Sequence, residues 1–312
     1  SDGPRFISSF AIALSQRPIL RIGRIWADGK LIREADGALA VGGELRVYLG
    51  DEDQTVDPVM EAALGVGEVP AYRGLAYVVF ENLELGEFGN RVPNLTLEVI
   101  ADEGGAALQT VIQDLAAIGD FGSVDATNLS GTIIGYVADG SLSYRRVLDD
   151  IAMVHDVVAR ERGEMLIFND LPQSPILIDE QDLGANSNNI ATPRLSSSRV
   201  QDWELPREVL IQYLDPERDY QPNVQRARRI KARRGTSHFQ QASLAISADQ
   251  AKATAERVLN TVWTARRSTS MALPLRHIGL EVGDFIMVSH DGANHPLLID
   301  ELGFEGLVWR LN

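Results

Sequence analysis

The chain contains no cysteine, and aromatic residues make up only 6% of its 312 positions. The first absence excludes a disulfide scaffold and a thiolate nucleophile. The second leaves little material for an exposed aromatic groove. No apolar run approaches the roughly 18 residues that a membrane-spanning helix needs, so no stable membrane insertion is expected. The opening Ser-Asp-Gly-Pro-Arg-Phe lacks the basic and then apolar layout of a signal peptide. Because it starts with Ser1 and not Met, a processed chain or the visible part of a longer one is expected. Basic residues are also scarce: 29 Lys and Arg stand against 44 Asp and Glu, for a formal net charge of -15. That balance argues against a protein that grips nucleic acid over its whole surface. Neither a phosphate-binding Gly-rich fingerprint nor a Gly-x-Ser-x-Gly elbow is found.

What is present reads as a globular chain with a good core, 45% apolar and 23% charged, long enough for about two domains at roughly 150 residues each. The first hundred residues read as β structure. Residues 10–14, 20–26, 43–49 and 75–80 are short and rich in β-branched and aromatic residues. Turn signals such as Asp28-Gly29 and Asp36-Gly37 separate them, which predicts a barrel or sandwich. Residues 95–100 alternate apolar and polar, as a strand with one buried face does.

The period changes after Gly104-Gly105. Leu108, Val111, Ile112 and Leu115 share a helical face that Gly119 ends, and residues 131–137 return to a strand. A second helix is predicted from a Ser143 cap through Val147, Leu148, Ile151, Val154 and Val158 to Gly163, followed by a strand at 165–168. The polar stretch 184–189 is the best linker. Beyond it lie strands at 208–214 and 283–289, and a helix whose Ser247-Ala-Asp-Gln250 has capping-box spacing ahead of an apolar stripe from Ala251 to Val262.

Candidate chemistry is sparse. His290 and His295 flank an Asp291-Gly292 turn that signals a hairpin before a metal site. His155 and Asp156 are adjacent in a helix, point in different directions and are expected at the surface. Glu81, Glu84 and Glu87 offer carboxylates for glycoside hydrolysis, yet spacing alone does not show the fixed separation that chemistry requires. The loop 51–57 holds oxygen ligands but lacks the glycine and closing glutamate of an EF-hand. No catalytic residue, metal site or cofactor is therefore assigned, and no enzyme activity is expected. One basic run stands out: Arg226, Arg228, Arg229, Lys231, Arg233 and Arg234. It reads either as a solvated strand and turn or as a contact for phosphates or an acidic protein surface.

Several stretches carry a resemblance. They are Ile25-Trp-Ala-Asp-Gly29, Gly50-Asp-Glu-Asp-Gln54, the segment 70–80, Phe88-Gly-Asn-Arg-Val-Pro-Asn94, Gly131-Thr-Ile-Ile-Gly-Tyr136, the segment 207–213 leading to Asp219-Tyr220-Gln221, and Leu280-Glu-Val-Gly-Asp284. In this order the chain resembles the tail-hub (tail-tip or baseplate hub) proteins of long-tailed bacteriophages and gene transfer agents, most specifically over residues 72–94. Gene-transfer-agent relatives are longer and carry a glycosidase-like TIM-barrel region, whereas this chain passes from Ile100 directly to its α+β segment.

The resemblance implies a mainly β chain with an α+β part: two tail-tube-like β-barrel domains flanking a small α/β domain. The boundaries expected are 1–103 for the first tube-like domain, 104–189 for the α+β domain, and 190–312 for the second β domain with one amphipathic helix. It further implies a homotrimer at the host-facing end of the tail, assembled in the host cytoplasm. The trimer would present six similar domains to a six-fold tube and line the DNA exit channel. The implied partners are a distal tail or tube ring protein, further tail-tip or receptor-binding proteins, and transiently the passing DNA. An acidic wall suits a conduit, because it avoids phosphate contacts that would slow passage. Tyr72, Arg73, Phe88, Asn90, Arg91, Arg228, Arg229 and Arg233 are the expected assembly contacts. The turn 86–94 has a second reading, as a chain reversal serving only its own domain. A carbohydrate-binding host adhesin and a cell-wall or polysaccharide hydrolase stand as alternative functions; the first needs a groove of exposed aromatics, the second two carboxylates in a cleft.

Overall fold

The computed structural model describes residues 6–137, 143–172, 174–186, 193–230, 235–305 and 308–311. The chain divides into two units, Ser1–Gly105 and Ala106–Asn312.

Unit 1 contains β1 (Ile7–Ser15), β2 (Arg21–Ala27), β3 (Lys30–Arg33), β4 (Glu44–Tyr48), α1 (Pro58–Leu64), β5 (Ala76–Glu84) and β6 (Leu95–Ile100). Two three-stranded sheets form, β1-β5-β4 and β3-β2-β6. Their inner faces share one core, with Ala76, Val78 and Phe80 of β5 against Ile22, Ile25 and Ala27 of β2 and Ile32 of β3. The period-two alternation of apolar residues produces this arrangement, and each large side chain buried in it contributes roughly 1.5–3 kcal/mol. Asp28 (φ 48°) and Gly29 (φ 81°) make the tight left-handed turn between β2 and β3. The β2–β6 pairing is interrupted between Ile22 and Ile25. There Gly23 leaves room for the Glu98 carboxylate, which a Cβ would approach to 2.3 Å, and Glu98 accepts hydrogen bonds from the Arg24 backbone and guanidinium at 2.9–3.1 Å.

Unit 2 begins with β7 (Ala106–Ala107), α2 (Leu108–Gly119), β8 (Ser123–Asn128), β9 (Thr132–Ile133), β10 (Gly135–Tyr136), α3 (Tyr144–His155), β11 (Val157–Arg162), β12 (Met165–Asp170), β13 (Ile176–Ile178) and β14 (Ser196–Arg199). It continues with β15 (Pro206–Asp215), β16 (Gln221–Arg228), β17 (Thr236–Ala245), α4 (Ala248–Thr264), β18 (Arg267–Pro274), β19 (Phe285–His290), β20 (Ala293–Leu298), β21 (Leu302–Glu305) and β22 (Val308–Leu311). The largest sheets are β10-β17-β15-β16 and β14-β18-β22-β21. The Ser247 side chain caps α4 by accepting from the Gln250 N–H at 3.1 Å. The buried stripe Ala251, Ala255, Leu259 and Trp263 packs on Val209, Ile211 and Tyr213 of β15.

Three expectations need correction. The helix that starts at Ser143 ends at His155 and not Gly163: Asp156 takes the left-handed conformation (φ 58°), and Val158 lies on β11, paired in a hairpin with β12. Residues 131–137 hold two two-residue strands in place of one. None of the sheets closes into a barrel among the described residues, so the fold is mostly β with open sheets and helices packed on them. Leu108, Ile112, Val147, Ile151 and Phe168 pack in one core with Val209, Ile211 and Leu259. Of the expected linker, Gly184 and Ala185 both donate their N–H to the Ala272 carbonyl, at 3.1 and 3.2 Å, and residues 187–189 lie outside the described residues.

Candidate assembly surfaces

The turn 86–94 is built inward. Gly86–Phe88 forms one 3-10 turn that drives the Phe88 ring into the core beside Leu85. Phe88 is only 7% exposed, so it is a core residue and not a surface contact. Gly89 (φ 67°) and Asn90 (φ 59°) then take consecutive left-handed conformations, which glycine and asparagine adopt most readily. The Asp28 carboxylate ties the turn to the β2–β3 hairpin, accepting from Arg91 at 2.8 Å and from the Asn94 N–H at 2.9 Å. Lys30 pairs with Glu87 across the same gap. Asn90 and Arg91 remain exposed.

Tyr72 and Arg73 sit on a loop organised by Gln54, the last residue of the stretch Gly50-Asp-Glu-Asp-Gln54. Its side-chain oxygen accepts the Gly50 N–H at 2.7 Å, and its NH2 group donates to the carbonyls of Ala71 and Tyr72, both at 2.9 Å. Tyr72 has φ 50° and meets Tyr77 edge-on at 5.8 Å. The Arg73 Nε donates to the Gln54 carbonyl at 3.4 Å.

Beside this loop lies a polar cluster around Asp57, which is completely buried. One carboxylate oxygen caps α1, accepting from the Val59 and Met60 N–H groups at 2.9 and 3.0 Å. The other accepts from the Arg46 Nε and the Tyr48 hydroxyl, both at 2.8 Å. Burial pushes the Asp57 carboxyl up, but the Arg46, Met60 and Tyr48 hydrogen bonds outweigh it and hold the group below the usual aspartate range. Burial, aided by the Asp57 charge, pushes the Tyr77 hydroxyl up to about 12. The acidic loop 51–57 is thus anchored by Asp57 and Gln54, while Asp51, Glu52 and Asp53 face solvent.

The basic run is divided. Arg228 is exposed on edge strand β16, across from Glu208 on β15. The half-buried Arg229 lays its guanidinium over the Trp263 ring at 4.2 Å, and Arg266 lies over the same ring at 5.6 Å. Nearby Asp202 accepts from Arg199 at 2.7 Å and pairs with Arg266 at 3.4 Å. Arg233, with Lys231 and Arg234, lies outside the described residues. The structure therefore gathers Arg228 and Arg229 at one place in unit 2, and Tyr72, Arg73, Asn90 and Arg91 on unit 1 loops.

Two of the three candidate glutamates hold cations. Glu81 holds Arg46 at 2.7 Å, and Glu87 holds Lys30. His290 and His295 occupy the β19–β20 hairpin. Glu180, His290 and Asp291 bring ligand-type atoms within 4.8 Å of one another, but Glu180 is engaged by Arg194 at 2.8 Å and by His290 at 3.1 Å. His155 is less exposed than expected. It lines a pocket of roughly 240 Å³ together with Gly131, Thr132, Ile133, Leu244 and Gln250, and burial pulls its imidazole below the ordinary histidine value. Thr132, His155 and Gln250 supply the polar side chains of that pocket, whose lining includes no carboxylate.

The model of a family described as putative phage tail protein matches residues 143–302, and the chain belongs to that family. It is a tail protein of the phage and gene-transfer-agent kind, and so a component of the particle. Among solved structures, a chain in the virion of a native gene transfer agent particle is similar over 98% of this chain and 77% of its own, with a TM-score of 0.79 and 26% identity. The 43 kDa tail protein of prophage MuSo2 from Shewanella oneidensis matches over 97% of both chains, with a TM-score of 0.46 and 10% identity. A tail protein from Neisseria meningitidis MC58 matches over 98% of this chain and 87% of its own, with a TM-score of 0.45 and 11% identity. No curated protein matches the chain.

Proposed function

We propose that the chain is a non-enzymatic tail-hub subunit, forming a trimeric ring that adapts the six-fold tail tube to the host-facing tip and lines the DNA exit channel. The observation that carries this reading is the likeness to a gene transfer agent virion chain along 98% of the sequence. In this reading each subunit supplies two tube-like regions, residues 1–103 and 190–312, around the segment 104–189. Both regions contain sheets that present one face to a core. A ring of identical head-to-tail contacts closes on itself and leaves no open end to polymerise. The formal charge of -15 suits a channel wall, since few Lys and Arg are available to hold passing phosphates. A distal tube ring lies on one side, tip or receptor-binding proteins on the other, and assembly takes place in the host cytoplasm before the ring reaches the tail tip.

The test is stoichiometry. Native mass spectrometry of the assembled tail end, or the symmetry of the imaged particle, should give three copies per ring. Six copies, or a monomer within an assembled tail, would overturn the hub reading.

A further inference from the structure

Two segments of the sequence carry unmixed and opposite charge. Residues 47–72 contain Asp51, Glu52, Asp53, Asp57, Glu61 and Glu68 and no Lys or Arg. Residues 220–248 contain Arg226, Arg228, Arg229, Lys231, Arg233 and Arg234 and no Asp or Glu. Each also shows apolar side chains to solvent. In the acidic segment Leu64 is 65% and Val66 87% exposed; in the basic one Phe239 is 55% and Ile230 95% exposed.

The basic segment forms a bare sheet face. Across β16, β15 and β17 the register aligns Arg228 with Glu208 and Ser237, Arg226 with Leu210 and Phe239, and Val224 with Gln212 and Gln241. The opposite face, with Val209, Ile211 and Tyr213, is the one that α4 covers. Strand β16 is the outer strand of its sheet, so this face ends in an edge of the kind that recruits partners. Glu208 is the one acid among these aligned positions, and its carboxylate lies 4.0 Å from Arg226 and accepts from the Ser237 hydroxyl at 3.0 Å.

We propose that this face, with the corner at Ile230, receives the acidic segment 51–68 of a second copy of the chain, which seats Leu64 and Val66 against its apolar positions. The charges commit it to that occupant: the exposed pair Arg226 and Arg228 beside apolar side chains complements the exposed Asp51, Glu52 and Asp53 beside apolar side chains, and both lie on every copy. Because the two patches differ, the contact is head-to-tail, the type that generates rings. The inference rests on the ring reading and names the surfaces that make the ring.

The absence of cysteine allows a clean test. Chains carrying Val66→Cys and chains carrying Ile230→Cys, co-assembled and oxidised, should give a cross-linked dimer containing one of each. Assembled rings without that product would overturn the proposal. Independently, Asp51→Lys/Glu52→Lys/Asp53→Lys and Arg226→Glu/Arg228→Glu should each lower the ring fraction by about tenfold at low salt, as several exposed pairs become repulsions. Both sets together in one chain should restore it, since the charges are then exchanged. Unchanged rings in both variants would sink the proposal while leaving the ring reading intact; so would rings that survive the arginine changes while binding of duplex DNA is lost. A parent chain that forms no ring would instead remove the ring reading on which the proposal stands.

Discussion

The loops of unit 1 and the basic strand of unit 2 are both polar and both at the surface, yet they direct their side chains in opposite senses. Residues 86–94 put Phe88 into the core and tie Arg91 and the Asn94 backbone to Asp28. Residues 50–57 do the same through Gln54 and Asp57. Strand β16 keeps Ala227 inside and turns Arg226 and Arg228 outward. A specific-looking loop is thus a loop whose own domain specifies it, whereas a plain alternating strand is the better place to look for a partner.

The largest effect that separates the two classes is expected from Phe88→Ala. Removing a buried aromatic ring should cost about 3–5 kcal/mol, read as a lowered urea midpoint for unit 1. A loss below about 1 kcal/mol would mean that the turn is a surface element after all.

Next comes Asp57→Asn, which leaves Arg46 with Glu81 as its close carboxylate partner and should cost about 2 kcal/mol through the lost charged hydrogen bonds. Its pH signature has a defined sign. The folded carboxyl lies below its unfolded value, so its contribution is complete above the unfolded pKa near 4 and is lost as pH falls through the lower folded value. The parent chain should therefore lose stability on acidification below about pH 4, and the Asn variant should lose less over the same window. Parallel acid titrations followed by circular dichroism decide this.

The smallest effect sharpens the division within the basic run itself. Arg229→Ala should cost about 0.5–1 kcal/mol through the lost stack on Trp263. Arg228→Ala, exposed on the edge strand, should stay within about 0.5 kcal/mol, both changes being read from urea midpoints. Equal effects at the two positions would erase the distinction.

Legibility in the sequence followed the range of the forces involved. Helix α4 was plain because its Ser247 cap and apolar stripe are local signals, and the Asp28-Gly29 and Asp291-Gly292 turns were plain for the same reason. Helix α3 was overextended because Val154 and Val158 keep a helical spacing, while the stop at Asp156 depends on one aspartate taking a left-handed conformation with no glycine to announce it. Helix α1, seven residues long, has too little periodicity to register, although Asp57-Pro58 is a start signal of the right kind. In the candidate surfaces, the basic run was visible as composition. The Arg229–Trp263 stack and the alignment of Phe239 with Leu210 were not, because both need a register between strands and a helix far apart in the chain.

Asp57 uses its two oxygens for two different elements, the start of α1 and the Arg46 and Tyr48 side chains of β4. The seven residues of α1 are too few to hold a helix alone. Opening α1 releases the carboxylate that Arg46 and Tyr48 hold, and pulling Arg46 away removes the largest of the interactions that favour its ionised, capping form. The helix and the strand should therefore open together, and their amide protons should exchange with solvent at similar rates although no backbone hydrogen bond joins these described residues.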